Sequence, residues 1–360
     1  SMPVAFKLGY CAAAIVLPAV VFGVGHRLLG LPRTAALGGA LAAMAFLLHE
    51  DNTIWGGNLL SVLSGEFAYS YGLLLAFVTG AVWLRGFPSR SAWLGGAVLE
   101  ALTGFSHGYA LLFVGFSSAV LFVLYRDWRA VLRFLTLTHA LSFFLLAGWL
   151  WPLLEMHGLT IPNDYPHNVE DWHEVFPRTL WPVAVAGLTA AACLLFLRSR
   201  SGLPAATYRN DGYFPSPLIA VGKPRLRGGF QEVTVDRGWE TAPTSQRLWS
   251  RFRALAHAHS ALLLYCAGSA LVALLGWFSA ERLGLANIRF FPFVLFMLSL
   301  ASGWLAGLLA QAMLDVLPNR LRWSGVLLLL ALSVAGYGWL RSDAEKAPQW
   351  ALWNHAGLEV

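Results

Sequence analysis

The chain has 360 residues, of which 57% are hydrophobic and 12% are charged, and its net charge is +6. A soluble domain carries about 25% charged residues, so this composition excludes a soluble enzyme and indicates an integral membrane protein. The net positive charge does not point to a nucleic-acid partner, because the sequence lacks a basic stretch interleaved with aromatic residues.

Long apolar runs divide the chain into candidate membrane-spanning helices. A helix needs about 17–25 predominantly apolar residues to cross a bilayer. The predicted fold class is therefore all-α, a polytopic membrane protein with about ten transmembrane helices. Helices one to seven lie within residues 1–197, and helices eight to ten lie within 255–340. The predicted helices cover residues 3–25, 34–48, 67–84, 92–106, 108–125, 134–155, 180–197, 255–280, 291–314 and 325–340.

The distribution of lysine and arginine predicts the orientation of these helices. Cytoplasmic loops of membrane proteins are enriched in basic residues. The connections expected on the cytoplasmic side are 26–33, 85–91, 126–133, 198–254 and 315–323. The segments expected on the extracytoplasmic side are 49–66, 156–178 and the tail 341–360. The expected location is the inner (cytoplasmic) membrane of a bacterium, with the active face extracytoplasmic.

The segment 198–254 is the longest connection and the most basic one. It has ten lysines and arginines against four acidic residues, and it is rich in glycine, proline and serine. This composition predicts a flexible basic cytoplasmic loop that lies on anionic lipid headgroups. Apolar residues alternate near 231–235, which would also be compatible with one short strand or hairpin.

The segment HEDNTIWGGNLLSVLSGEFAYS, from His49 to Ser70, is the most unusual polar stretch at the membrane edge. It contains three carboxylates, those of Glu50, Asp51 and Glu66. Ionisable side chains cost about 2.5–3.5 kcal/mol or more at bilayer depth, so they persist there mainly when they pair or line a cavity. Two interpretations stay open: a wet loop that joins two helices, or a backbone that bends around a ligand.

The loop EMHGLTIPNDYPHNVEDWHEVFPR, residues 155–178, mixes histidines with carboxylates. Such a mixture could bind a divalent cation or carry protons, but its DWHE run lacks the spacing of a helical zinc site. A solvated amphipathic surface helix is the other interpretation. The three cysteines lie inside apolar runs without CxxC spacing, which is typical of buried hydrophobic residues. No metal ligands are therefore assigned.

Three further residues stand out at or near the predicted helices. His107, at a junction of two helices, is either a satisfied interhelical histidine or an active-site donor. His139, in the middle of a helix, is interpreted as a packing or interhelical hydrogen-bonding residue. Arg289, in the segment ANIRFFPF, is either an interfacial anchor that snorkels to water or a ligand for phosphate. A planar guanidinium suits a phosphate or pyrophosphate through bidentate contacts.

The segment IWGGNLLSVLSGEFAYSYGLLLAF resembles the Gly-Gly-Asn and Gly-Glu-Phe signature of large polytopic proteins in the glycosyltransferase C superfamily. The most similar set in that superfamily is labelled as related to 6-pyruvoyl-tetrahydropterin synthase. The stretches LTGFSHGYALL around His107, NIRFFPF around Arg289 and the closing WALWNHAGLE fit the same pattern. The similarity covers most of the chain, although each motif is short.

This resemblance implies a glycosyltransferase C-like helical bundle and a membrane enzyme. Similar proteins take a sugar from a polyprenyl-phosphate donor and transfer it to a glycan or lipid acceptor on the extracytoplasmic face. An acidic residue of the first extracytoplasmic loop acts as the base, in some members with a divalent cation such as Mg²⁺ or Mn²⁺. The family's chains are longer, so the resemblance also implies that this sequence is the middle of a longer protein and lacks the usual catalytic aspartate.

The resemblance and the residue types together assign the expected roles. Asp51 or Glu50 is the expected base in place of the family's aspartate, and Arg289 is expected to hold the leaving phosphate. Glu66 would orient the base or a metal ion, and His107 would hydrogen-bond the phosphate. The other substrate-binding candidates are Asn58 of the Gly-Gly-Asn motif and three aromatic residues that could stack on sugar or prenyl carbon, Trp55, Tyr69 and Trp172.

Two other classes of function stay open. The chain could be a non-catalytic membrane scaffold or assembly subunit. It could also be a lipid or solute transporter, for which charged residues in the middle of helices would be typical, and only Glu100 and His139 come near that description. The expected partners are membrane lipids, the lipid-linked sugar donor and its acceptor.

Overall fold

A computed structural model describes residues 2–50, 54–156, 176–200 and 244–318, together with 321, 331, 334–336 and 338. All regular secondary structure within these residues is helical. The helices are α1 (Met2–Gly23), α2 (Arg33–Leu47), α3 (Leu59–Leu63), α4 (Phe67–Gly86), α5 (Arg90–Ser106), α6 (Gly108–Ser117), α7 (Val120–Leu124), α8 (Trp128–Glu155), α9 (Trp181–Arg200), α10 (Thr244–Ala258), α11 (Ser260–Ala280) and α12 (Phe291–Val316). A π-helical turn, Val24–Leu28, extends α1, and 3-10 turns flank α9, α11 and α12 at Arg178–Leu180, Glu281–Leu283 and Asn287–Phe290.

Five helical segments of the described residues are long and apolar enough to cross a membrane. They are Leu8–Leu28, Phe67–Gly86, Trp128–Glu155, Ser260–Leu283 and Asn287–Val316, and two shorter apolar segments, Arg33–Leu47 and Gly108–Leu124, accompany them. These segments confirm a helical membrane protein, whereas the count of about ten spans and the glycosyltransferase C-like bundle stay predictions. Most of the last predicted helix, 325–340, lies outside the described residues.

The helix α8 begins earlier than the apolar pattern predicts. It starts at Trp128 instead of residue 134. The carboxylate of Asp127 accepts a hydrogen bond from the Ala130 N–H at 3.0 Å and so caps the first turn. The first turns of α8 contain arginines, which is why hydrophobicity alone places the start too late.

The helix α10 lies partly within the segment predicted as a basic loop. The prediction of a loop up to residue 254 is corrected here, because the helix begins at Thr244 and ends at Ala258, before α11 starts. Phe252 and Ala256 are buried on one side of α10, while Arg253 is exposed. Basic and apolar residues thus alternate at helical spacing, a pattern that the high overall charge conceals. The hairpin proposed near 231–235 falls outside the described residues.

The helices α2 and α12 pack together through glycines. A Cβ atom on Gly38 of α2 would collide with the backbone of Gly303 of α12, and one on Gly303 would collide with Gly38. Beside this contact the Trp304 ring is fully buried. Lipid supplies no hydrophobic drive between helices, so close approach through small residues is a main source of their packing energy. α12 also contacts α9, α10 and α11, while α4, α5 and α8 pack side by side in that order.

The helix ends fall into two groups. At one end, Arg251 of α10 donates to Asp315 of α12 at 2.6 Å, and the Thr34 hydroxyl of α2 donates to Gln311 of α12 at 2.8 Å. This is the end that the lysine and arginine distribution predicts to be cytoplasmic. The opposite end, where α2 finishes and α12 begins, carries the candidate site.

Candidate functional site

Arg289 lies in the 3-10 turn that directly precedes α12. Its Nη2 donates to Glu66 Oε1 at 2.7 Å, and its Nη1 donates to the carbonyl oxygen of Ile54 at 2.8 Å. The side chains of Arg289 and Glu66 are 18% and 29% exposed. Because Glu66 directly precedes α4, Arg289 ties the start of α12 to the start of α4 and to the loop before α3.

The guanidinium of Arg289 keeps donors for a further ligand. It has five N–H groups, and the bonds to Ile54 and Glu66 use one on Nη1 and one on Nη2. The remaining N–H groups can meet phosphate oxygens in one plane. The bond to Glu66 meanwhile fixes the orientation of that plane. The pair can therefore bind an anion without first coming apart.

Tyr69 fixes the backbone of the Arg289 turn from α4. Its hydroxyl donates to the carbonyl oxygen of Arg289 at 2.7 Å, and its side chain is fully buried. Gly56 packs on the Tyr69 ring, where a Cβ atom would overlap ring carbons, and its φ of +95° lies in the left-handed region that favours glycine. Tyr69 is predicted as a stacking surface for sugar or prenyl carbon, but its ring is fully buried and its hydroxyl positions Arg289.

His107 joins α5 to α6 and packs edge-on against Tyr69, with 4.8 Å between the ring centroids. Its Nδ1 is buried and has no hydrogen-bond partner among the described residues. Burial, with a smaller contribution from the charge of Arg289, lowers the pKa of His107 to about 4. The imidazole is therefore neutral at pH 7, so it can donate one hydrogen bond to a ligand but adds no positive charge.

Asn58 and Trp55 hold together the loop between α2 and α3. The Asn58 amide donates to the carbonyl oxygen of His49 at 2.8 Å, and Asn58 Oδ1 accepts from the Ser61 N–H at 3.2 Å, which caps α3. Trp55 is fully buried and lies edge-on to Phe291, with 4.9 Å between the ring centroids. Both residues are predicted substrate contacts. In the structure, the Asn58 amide forms hydrogen bonds within the loop and the Trp55 ring is buried. Both side chains therefore stabilise the conformation of the loop.

Of the two candidate bases, Glu50 and Asp51, the structure describes Glu50. It lies in the first half of this loop and is 9% exposed. His49 beside it is fully buried, and burial lowers the pKa of its ring to about 3, so the ring is neutral. Asp51, the other candidate base, lies outside the described residues, as does Trp172 with residues 157–175. The expected role of Asp51 as the base therefore stays a prediction.

Within the described part of the chain, the side chains do not form a complete ligand set for a divalent cation. No three His, Cys, Asp or Glu side chains come together there in a way that could hold a metal ion. Glu50 and Glu66 are the carboxylates of this region that the structure describes. A Mg²⁺ or Mn²⁺ ion would need further ligands from Asp51 or from a substrate phosphate, and Mg²⁺ is commonly bound by one or two carboxylates plus phosphates.

Two contacts at this site were not predicted from the sequence. One is the carbonyl of Ile54, a backbone acceptor for Arg289 that no residue type announces. The other is Tyr109, whose hydroxyl accepts from the Ala286 N–H at 2.7 Å and so holds the segment before Arg289. Tyr109 follows His107 in the motif SHGY, and that proximity was the one available hint.

Comparisons with known proteins identify no relative: no family model, no curated protein and no solved structure matches the chain. The resemblance to the glycosyltransferase C superfamily therefore rests on the short motifs in the sequence. The functional conclusion has to come from the side chains of the site.

Proposed function

We propose that this chain is a glycosyltransferase, or the transmembrane core of one, that transfers a sugar from a polyprenyl-phosphate donor to an extracytoplasmic glycan or lipid acceptor. The observation that supports the proposal is the Glu66–Arg289 pair at 2.7 Å, which is partly exposed at one end of the bundle. An oriented guanidinium next to the neutral His107 provides donors for a phosphate. The membrane around it provides the apolar medium that a prenyl chain requires.

The proposed reaction needs a base and a cationic group. The acceptor hydroxyl loses its proton to a carboxylate, and its oxygen bonds to the anomeric carbon while the bond from that carbon to the phosphate oxygen breaks. Asp51 or Glu50 is the proposed base, because both lie on the loop whose Ile54 carbonyl contacts Arg289. Arg289 stabilises the charge that develops on the leaving polyprenyl phosphate. Glu66 orients the guanidinium, and His107 donates a hydrogen bond to the phosphate.

A lipid or solute transporter is the second candidate function. The observation in its favour is the contact between Glu100 and His139, 2.8 Å apart on two different helices inside the bundle. Ionisable residues within transmembrane segments often mark ion or substrate pathways. Sugar transfer is favoured over transport because the Arg289 site lies at the helix ends, where an extracytoplasmic acceptor has access.

The test measures heat stability of the purified protein with undecaprenyl phosphate or with undecaprenol. A ligand that binds only the folded state raises Tm, so we expect protection by the phosphate and not by the alcohol. Arg289→Lys keeps the charge but loses the planar two-point contact, so protection should require about tenfold more lipid. Arg282→Lys is the matched control, because Arg282 is exposed near the same helix ends and should bind the lipid as the wild type does.

A second variant separates catalysis from binding. Asp51→Asn preserves shape but removes the base, so it should leave lipid protection nearly unchanged and abolish sugar transfer in cells. Equal protection by phosphate and alcohol, combined with wild-type behaviour of the Arg289 and Asp51 variants in cells, would contradict the proposal. That result would favour a non-catalytic scaffold.

A further inference from the structure

Glu100 of α5 and His139 of α8 meet inside the bundle, away from the Arg289 site. His139 Nδ1 lies 2.8 Å from Glu100 Oε1 and 3.0 Å from Oε2. Glu100 is 2% exposed, and His139 lies near the middle of a segment that is long enough to cross a membrane, Trp128–Glu155. On the other side of the imidazole, Nε2 lies 3.2 Å from Ser118 Oγ.

The direction of the Ser118 hydrogen bond bears on which ring nitrogens of His139 carry a hydrogen. The Ser118 hydroxyl donates to the carbonyl oxygen of Gly115 at 2.6 Å, because a carbonyl can only accept. A hydroxyl has one hydrogen, so while Ser118 donates to Gly115 it can only accept from His139, and in this arrangement Nε2 bears a hydrogen. On the opposite side, an ionised Glu100 requires a hydrogen on Nδ1, whereas a protonated Glu100 would donate its own hydrogen to Nδ1.

Both arrangements hold the same number of protons. One is an imidazolium with a carboxylate, and the other is a neutral imidazole with a carboxylic acid. Each has zero net charge and one proton more than a carboxylate beside a neutral imidazole. Loss of that proton would leave an uncompensated negative charge on Glu100, which is almost fully buried, and such a charge is costly at bilayer depth.

We infer that Glu100, His139 and Ser118 form an intramembrane proton-binding site that holds one exchangeable proton. On release, the proton on Nε2 passes to water, and the Ser118 hydroxyl turns from Gly115 to donate its hydrogen to Nε2. Nδ1–H then remains bonded to the Glu100 carboxylate. Ser118 lies at the junction of α6 and α7, so binding and release of the proton change the contact of a third segment with α8.

Aromatic side chains of α4 and α11 lie near this site. The Trp83 ring of α4 lies edge-on to His139, with 6.1 Å between the ring centroids. The phenol of Tyr265, on α11, also interacts electrostatically with Glu100. Within the described residues, Glu100 forms its ion pair with His139 alone. Residues 100 to 107 of one helix separate the site from His107, a rise of about 10 Å, so this site is distinct from the phosphate site proposed above.

The test determines the protonation state of the pair directly. Protein with ¹⁵N-labelled histidine is studied in bilayers at pH 7 by NMR, and its carboxyl bands are recorded by infrared spectroscopy. The His139 signal is assigned by its loss in His139→Gln, and the Glu100 band by its loss in Glu100→Gln. Two protonated ring nitrogens on His139, or a protonated carboxyl band from Glu100, would support the inference. A neutral imidazole together with an ionised Glu100 would overturn it.

A pH titration of the same signals tests the part assigned to Ser118. Ser118→Ala removes a hydrogen bond to Nε2 in both states, but the bond that an imidazolium Nε2–H donates is charge-assisted and therefore the stronger of the two. The proton should accordingly bind about tenfold more weakly. Thr103→Val is the matched control, because Thr103 is buried on α5 and its hydroxyl donates only to Leu99 of the same helix, at 2.8 Å. An unchanged midpoint in Ser118→Ala, or equal shifts in both variants, would contradict the role of Ser118. These signals do not depend on sugar transfer.

Discussion

Two acid–base pairs join distant parts of this chain, and they differ in burial and in the chemistry of the base. Glu66 and Arg289 meet at the end of the bundle with side chains that are 29% and 18% exposed, whereas the Glu100 side chain is 3% exposed where it meets His139, whose own side chain is 25% exposed. A guanidinium keeps its charge at any physiological pH, while an imidazole can lose it. The permanent charge at the helix ends suits an anionic ligand, and the titratable base beside a buried carboxyl group suits a proton.

The comparison also shows why similar contact distances have different energetic consequences. Both pairs have nitrogen–oxygen distances below 3 Å. Water and salt screen a charge at the helix ends, whereas the interior of the bundle screens it much less. Removing one partner therefore has a small effect at the first pair and a large effect at the second.

The first prediction concerns the orientation of the protein in the membrane, for which labelling gives an all-or-none result. Ile54, beside Arg289, is 52% exposed, and Ser250 is exposed at the other end of the bundle on α10. In a cysteine-free background, an impermeant maleimide should label Ile54→Cys in intact cells and Ser250→Cys only after permeabilisation. The reverse pattern would put the Arg289 pair in the cytoplasm and contradict its proposed role in extracytoplasmic transfer.

The largest stability change should follow loss of the base from the enclosed pair. His139→Leu leaves the Glu100 carboxyl group without its ring partner, and an uncompensated buried charge costs about 3–5 kcal/mol. Because Glu100 can escape part of this cost by taking up a proton, we expect about 3 kcal/mol in a reversible SDS unfolding titration. The double variant Glu100→Leu with His139→Leu should recover most of the loss. A double variant as unstable as the single one would show that the pair is not the cause.

A drop in pH should destabilise the Arg289 end of the bundle. The pKa of His107 is about 4 in the folded protein, below the value of about 6.5 in an unfolded chain. The unfolded state therefore binds more protons between these values, and stability falls as the pH is lowered from about 6.5 to about 4. We expect His107→Asn to remove about 2 kcal/mol of this loss, measured as the pH dependence of the unfolding midpoint. A pH profile of His107→Asn identical to that of the wild type would contradict a buried, neutral His107.

The smallest expected effect is the salt dependence of the Glu66–Arg289 pair. Glu66→Gln removes a partly exposed ion pair, so we expect a loss of about 1 kcal/mol at low salt. This difference should shrink at about 1 M NaCl, where the Debye length is about 3 Å. The loss caused by Glu100→Gln should be insensitive to salt, because that pair is enclosed. If the stability loss of Glu66→Gln did not change with salt, the two pairs would be equally protected from screening by salt.

The polar residues of the candidate site could be found from the sequence, but their contacts could not. Glu66, His107 and Arg289 stand out because ionisable or polar groups are unusual next to long apolar runs. The contact between Glu66 and Arg289 joins residues 223 positions apart, and apolar runs do not say which helices are neighbours. Trp55 shows a second limit: an aromatic side chain in a polar loop can face a ligand or fill the interior, and its residue type is the same in both cases.

The amino-acid sequence by itself determined the medium of this protein, the positions of most helices and the grouping of basic residues at alternate helix ends. These properties depend on hydrophobicity and charge within short stretches of chain, so they can be read locally. Only the tertiary structure decided that Glu66 meets Arg289, that Glu100 meets His139, and how far each pair is enclosed. Protonation and ligand binding depend on the dielectric environment and on partners from distant segments, and packing alone creates both.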